Sequence, residues 1–165
     1  MAWIWAAALC NNLAVRMTAP GRREEALTAA QEAVHIYRAL ADARVDAVIS
    51  DLARSLINLA IGLSGLGRRE EALTAAEEAV GYYRSLAQSS QDHLTPDLAV
   101  ALDQFAASLS ALGRWEPAFL AAEEAVNLRR ALVEVHPDRF TASLAHSLAN
   151  LADRLSARSA GARRR

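Results

Sequence analysis

The chain has 165 residues, a formal net charge of −1, and a composition that is 53% hydrophobic but only 5% aromatic. This length fits one domain or one short repeat array, and the near-neutral charge provides no global field that would favour nucleic acid or an anionic membrane. The sequence contains no lysine, which excludes a P-loop, and its single cysteine excludes an internal disulfide.

The chain begins with the apolar stretch MAWIWAAALC. Because this stretch lacks a basic n-region and is too short to cross a bilayer, we expect no signal peptide, no membrane span and a cytoplasmic protein. Trp3 and Trp5 precede the first repeat. Aromatic residues at the end of a repeat array indicate either an interface or a cap that folds onto the first unit, and both interpretations stay open.

The sequence repeats at an interval of 46 residues. The segment GRREEALTAA begins at Gly21 and again at Gly67, and a degenerate copy, GRWEPAFLAA, begins at Gly113. Other columns keep the same spacing over four copies, for example Cys10, Leu56, Leu102 and Leu148. Columns that stay in register along the whole chain indicate a tandem repeat.

Each repeat is predicted to be a helix, a glycine turn and a second helix. Leu56, Leu59, Ala60 and Leu63 fall at i, i+3, i+4 and i+7 and therefore share one helical face. Gly67 follows them and can adopt the left-handed conformation that ends a helix.

We predict seven helices, at 2–19, 22–42, 45–66, 68–88, 92–112, 115–134 and 138–157. They form three and a half units in a single domain, 1–157, with units at 1–42, 43–88, 89–134 and 135–157, the last a half unit. Pro96 is expected to kink or restart the fifth helix, and Asp138 to cap the seventh. We expect residues 158–165 to be a disordered basic tail.

The pattern resembles the tetratricopeptide repeat. The family's spacing maps onto Leu56, Leu59, Ala60 and Leu63, followed by Ala72 and Ala76. Arginine replaces the family's closing proline at Arg38, Arg84 and Arg130, so the second helix can run further. The stretches CNNLA and INLA are more similar to the long, kinesin-light-chain-like repeats of the bacterial type. The resemblance implies an all-α, right-handed α-solenoid of antiparallel helix pairs.

No pattern in the sequence indicates an enzyme. The four histidines are scattered and form no metal-binding spacing, and no serine lies in a nucleophile-elbow context. Adjacent glutamates such as Glu70 and Glu71 lie where second helices begin, and acids there complement the helix dipole. We therefore predict a non-enzymatic protein with no cofactor and no metal.

One polar column recurs inside the first helices. It consists of Asn12, Asn58, Gln104 and Asn150. Asparagine is a middling helix former, so its repeated use within a helix needs a reason. The resemblance implies one: first helices line the concave groove, and an amide here bonds the backbone of an extended peptide. The alternative is that these amides cross-link neighbouring first helices.

We expect four further side chains to flank this column in the groove, namely Arg54, Asp103, His146 and Asp153. Their mixed charge lacks the basic cluster that would capture a terminal carboxylate. The near-neutral chain also lacks the basic stripe of a nucleic-acid reader. The expected partner is therefore a protein or peptide.

Three hypotheses about function follow. The first is an interaction scaffold that binds an extended peptide in the groove. The second is self-assembly through the open ends, with Trp3 and Trp5 of one chain against the last helix, around Leu148 to Leu155, of another. The third, which rests on the resemblance, is a sensor arm of a larger signalling ATPase.

Overall fold

The computed structural model describes residues 23–41, 46–88 and 95–162, and these ranges contain six α-helices and no strand. In chain order they are α1 (Arg23–Ala41), α2 (Asp46–Gly65), α3 (Arg69–Gln88), α4 (Thr95–Ala111), α5 (Trp115–Val135) and α6 (Pro137–Ala162). Six of the seven predicted helices are therefore confirmed. The predicted helix at 2–19 lies outside the described residues, together with Trp3, Trp5 and Asn12.

Each described helix packs against its neighbours in sequence order, and α2 also contacts α4. The architecture is an all-α solenoid of helix pairs, as the repeat predicted. We call α2, α4 and α6 the first helices of their units, and α1, α3 and α5 the second helices.

Glycine joints connect the two helices of a unit. Gly67 and Gly113 have φ angles of 76° and 71°, which a residue with a side chain rarely adopts. At the first joint the Arg68 amide donates to the Leu63 carbonyl at 2.9 Å and the Gly67 amide donates to the Ser64 carbonyl at 3.1 Å. This pair of bonds is a Schellman motif, and the joint at Gly113 repeats it. The predicted turn is confirmed at both positions.

Charged side chains then start the second helix. The Arg68 guanidinium donates to both carboxylate oxygens of Glu71, at 2.7 and 2.6 Å. The hydrogen bonds from Arg68 lower the pKa of Glu71, so its negative charge is retained near the helix N-terminus, where the dipole favours it. In the next unit Pro117 stands at this position and lies in the first turn of α5, where its missing N–H leaves no bond unmade.

The core joins leucines of first helices to alanines of second helices. Leu52, Leu56 and Ala60 of α2 are fully buried, as are Ala72 and Ala76 of α3. Small side chains on α3 let the two helices approach closely, while each fully buried leucine contributes about 1.5–3 kcal/mol. The columns of the sequence repeat are therefore the contact faces of the solenoid.

The last helix differs from its prediction at both ends. It begins at Pro137, and the amides of Arg139 and Phe140 bond the His136 carbonyl at 3.2 and 3.3 Å. The prediction that Asp138 caps this helix is therefore wrong, because Asp138 already lies in its first turn. Proline is suited to the first helical position because its fixed φ is helical.

At its other end α6 continues to Ala162 instead of stopping at 157. Ser159 occupies the position that Gly67 and Gly113 hold in the preceding units. Its hydroxyl donates to the Leu155 carbonyl within the helix. Without a glycine to take the left-handed conformation, the helix runs on. Residues 158–162, predicted as part of a disordered tail, are helical, and 163–165 lie outside the described residues.

One stretch of the described chain, Val48–Gly65 in α2, is long and apolar enough to cross a membrane by length and composition alone. It contains the buried core residues Leu52, Leu56 and Ala60. A core helix of a solenoid needs the same composition, so this stretch is weak evidence for a membrane span.

Candidate interaction surface

The solvent-facing side of α2 is a narrow stripe of three side chains. Arg54 and Ile61 are exposed and Asn58 between them is half-buried. Their spacing of four and three residues places them above one another on one side of the helix. The side chains of Leu52 and Leu56, in contrast, are buried in the core.

The same stripe recurs on the other first helices at the interval of 46 residues. It contains Val100, Gln104 and Ala107 on α4, and His146, Asn150 and Asp153 on α6. In each case the amide is half-buried and its two flanking residues are exposed. We call these nine residues the first-helix face.

Neighbouring stripes of the first-helix face belong to helices in contact. α2 contacts α4, and the Ser147 hydroxyl of α6 donates to the Asp103 carboxylate of α4 at 3.1 Å. Asn58, Gln104 and Asn150 thus occupy equivalent, half-buried positions on successive first helices. Their role in binding stays a prediction.

The predicted flanking residues divide into two groups. Arg54, His146 and Asp153 lie on the first-helix face. Arg54 also forms an ion pair with Asp51 one turn away on its own helix, at 2.5 Å. Asn58 already makes an interaction within the chain. The face therefore offers amides that alternate with residues of changing charge and polarity.

Asp103 lies apart from this group. Its side chain, only 17% exposed, receives a bond from the Arg129 guanidinium of α5 at 2.6 Å and one from the Ser147 hydroxyl of α6. One position along a helix is a rotation of about 100°, which turns Asp103 away from the direction of Gln104. Its carboxylate joins three helices instead of flanking the amide column. We call Asp103, Arg129 and Ser147 the polar junction.

Reasoning from the sequence missed Arg129, the most buried charged residue described. It is 6% exposed and bonds both Asp103 and the hydroxyl of Ser147. The signal was a break in a column, because Tyr37 and Tyr83 hold this position in the preceding units. A second break accompanies it, since Asp103 stands where α2 has the buried Ile57. Two polar substitutions in one unit indicate a pair.

Arg154 adds a second cation beside the polar junction. It donates to the Asn150 carbonyl at 2.8 Å and occupies the position of Gly62 and Ser108 in the preceding units. Burial lowers the pKa of Arg154, while the nearby carboxylates of Asp103 and Asp153 oppose that shift. An arginine nevertheless stays protonated in a protein, so α6 keeps a positive charge at this half-buried position.

Successive second helices are linked by a repeated ion pair. Arg38 of α1 pairs with Glu78 of α3 at 2.5 Å, and Arg84 of α3 pairs with Glu124 of α5 at 2.6 Å. Both pairs are exposed enough that each contributes at most about 1 kcal/mol. We call this repeated pairing the second-helix ladder.

The chemistry of these surfaces suits reversible binding. Amide, guanidinium, carboxylate and aliphatic groups line the first-helix face, and each can form a non-covalent contact with a peptide. Within residues 23–41, 46–88 and 95–162 no group of three or more His, Cys, Asp or Glu is placed to hold a metal ion.

Comparison with known proteins agrees with the repeat. A family model described as tetratricopeptide repeat matches residues 6–43, 52–94 and 98–138. These three matches cover α1 and most of the helix pairs α2–α3 and α4–α5, and they end at the start of α6. No curated protein matches the chain. Because the matched repeats make up well over half of the sequence, the chain belongs to the tetratricopeptide-repeat family.

Proposed function

We propose that the protein is an interaction scaffold that binds an extended segment of a partner protein along the first-helix face. Tetratricopeptide repeats are generally protein–protein interaction modules. The observation that supports this particular surface is the column Asn58, Gln104 and Asn150, half-buried on three first helices at a constant interval. The amide recurs in all three units, whereas the residues that flank it change in charge and polarity from unit to unit.

Side-chain amides are suited to a peptide backbone because each carries a donor and an acceptor, as each peptide unit does. Contacts of this kind hold the backbone without reading its side chains. Selectivity then comes from the flanking positions. Ile61 and Val100 are 47% and 46% exposed, which favours an apolar side chain of the peptide near α2 and α4. His146 and Asp153 favour a polar or basic side chain near α6.

The test begins with capture of partners and identification of the bound segment by mass spectrometry. Affinity for that segment is then measured by calorimetry for wild type and for the double variant Gln104→Ala/Asn150→Ala. Two lost hydrogen bonds of about 1 kcal/mol each predict roughly 30-fold weaker binding. Gln31→Ala is the matched control, because Gln31 is an exposed amide on the second helix α1.

Circular dichroism of each variant separates binding from folding. Unchanged affinity of the double variant, with an intact helical spectrum, contradicts the proposal. Equal losses for the double variant and for Gln31→Ala also contradict it, because the effect would then not belong to the first-helix face.

A further inference from the structure

The last described helix exposes residues that the preceding units bury. Leu56 and Leu102 are 0% exposed, whereas Leu148, at the same repeat position, is 40% exposed. Leu63 and Leu109 are each 3% exposed, and their counterpart Leu155 is 44% exposed. These positions of α6 thus remain apolar, but their side chains are exposed to solvent.

In the preceding units this cover is the second helix. Leu56, Leu59 and Leu63 border Thr74 and Ala75 of α3. Leu109 clusters with Ala118 of α5. Both α2 and α4 are packed between two second helices, whereas α5 is the one described second helix that packs against α6. The exposed side of α6 therefore has the shape and chemistry that a second helix covers.

The second-helix ladder indicates the same position independently. Its arginines pair with a glutamate 40 residues later, as Arg38 does with Glu78 and Arg84 with Glu124. Arg130 is the third arginine of the column. It contacts Asn127 of its own helix, at 3.4 Å. A helix seated on α6 in the register of α3 on α2 would bring a carboxylate to Arg130.

We infer that the exposed side of α6 docks a partner helix with the chemistry of this chain's own second helices. That helix carries alanines at i, i+4 and i+7, as α3 does at Ala72, Ala76 and Ala79, and a glutamate at the position of Glu78. The alanines lie against Leu148 and Leu155, and the glutamate pairs with Arg130. This surface is distinct from the first-helix face of the proposed function.

The described second helices of another copy cannot supply this helix without unfolding. Their alanine faces are occupied in their own chain, since Ala33, Ala79 and Ala125 are all 0% exposed. The apolar side chains of Leu148 and Leu155 beside the cationic Arg130 favour an alanine-rich, acidic helix of another protein as the occupant, held by a helix-in-groove contact.

The test uses a labelled peptide with the sequence of residues 68–88 as the probe, added to the whole chain. We expect saturable binding by fluorescence anisotropy and a gain of helicity. Leu148→Asp weakens binding at least 10-fold, because it places a charge in the apolar seat. Leu120→Asp is the matched control, because Leu120 is 55% exposed on α5 and leaves binding unchanged. The probe could also bind by displacing α3 from its own place between α2 and α4. Leu148→Asp distinguishes this case, because Leu148 lies on α6, which does not pack against α3.

The charge contact is tested by a double-mutant cycle. Arg130→Ala in the chain and replacement of the probe's glutamate at position 78 by alanine each weaken binding about 2- to 5-fold, and together no more than either alone. Sedimentation identifies a competing occupant. If the chain forms a dimer, and Leu148→Asp abolishes this dimer while the probe does not dissociate it, the occupant is a second copy and the inference is overturned. Absence of probe binding, or equal effects of Leu148→Asp and Leu120→Asp, overturns it as well.

Discussion

The second and third units fill one position of their second helix with opposite chemistry. In the second unit Tyr83 is 1% exposed, and its hydroxyl donates to the Ser50 carbonyl at 3.4 Å. In the third unit Arg129 holds the same position and joins Asp103 and Ser147 in the polar junction. Both units nevertheless keep the same glycine joint and the same order of helix packing.

The comparison separates what the solenoid requires from what it tolerates. The buried alanines and the glycine joints recur in both units, so they are the elements on which the fold depends. The tyrosine position accepts an ion pair because a second change, Asp103 at the position of Ile57, supplies the opposite charge. A buried ion pair is weak evidence for stability, but the loss of one partner is costly.

The largest expected effect comes from breaking the polar junction. Arg129→Met keeps an unbranched, flexible side chain but removes the guanidinium, so the Asp103 carboxylate, 17% exposed, loses its ion-pair partner. We expect the free energy of unfolding to fall by about 3–5 kcal/mol, measured by urea denaturation. A loss below about 1 kcal/mol would mean that the pair behaves like a surface ion pair.

A second experiment converts the third unit into the second. Asp103→Ile together with Arg129→Tyr installs the residues found at Ile57 and Tyr83. We expect the double variant to equal wild type or to exceed its unfolding free energy by up to about 4 kcal/mol, because an apolar replacement removes the desolvation cost of both charges. If the double variant is less stable than Arg129→Met, the third unit cannot accept the isoleucine and tyrosine that the second unit has at these positions.

The burial of Tyr83 can be tested through the pH dependence of stability. Burial, and secondly the Asp97 carboxylate, raise the pKa of Tyr83 above its ordinary value of 10.0. The folded chain thus keeps the phenol proton to higher pH than the unfolded chain. The free energy of unfolding should be level below about pH 10 and fall as the pH rises above it. Tyr83→Phe should reduce that alkaline fall, and at neutral pH cost about 1 kcal/mol or less.

Tyr82→Phe is the control for this titration. The pKa of Tyr82 is also raised, with burial again the largest cause, but its side chain is only half-buried. Removing its hydroxyl should change the alkaline slope less than Tyr83→Phe does. If stability falls with pH equally in Tyr83→Phe and Tyr82→Phe, burial of Tyr83 is not the cause of the alkaline loss of stability.

The smallest expected effect is at the second-helix ladder. Arg84→Ala removes the pair with Glu124, whose side chains are 50% and 41% exposed. We expect a loss of about 0.2–1 kcal/mol that shrinks with added salt. A salt-independent loss as large as that of Arg129→Met would contradict the distinction between the exposed and the buried pair.

Most of the fold followed from the repeat. Residues such as Leu56 and Leu102 keep their phase along the chain, and the glycine at 67 and 113 fixes where each unit turns. The same spacing puts the amides at equivalent positions of successive first helices. Such features are predictable because they depend on local helix geometry and on identical neighbours in each unit.

What the sequence did not reveal depends on departures from the repeat. Asp103 was assigned to the first-helix face from its position beside Gln104, but a buried arginine on another helix attracts its carboxylate. Asp138 was expected to cap α6, yet Pro137 already lies inside the helix. In both cases a contact between elements, or a shift of one residue, decides the outcome, and periodicity carries no information about either.

The residue at the joint position also determines how far a first helix reaches. α2 stops at Gly65, ahead of its glycine joint, and spans 20 residues, whereas α6, with Ser159 at that position, spans 26. At a rise of about 1.5 Å per residue, α6 is roughly 9 Å longer than α2. The residue at this one position therefore decides whether the first helix ends in a turn, as at Gly67 and Gly113, or continues, as at Ser159.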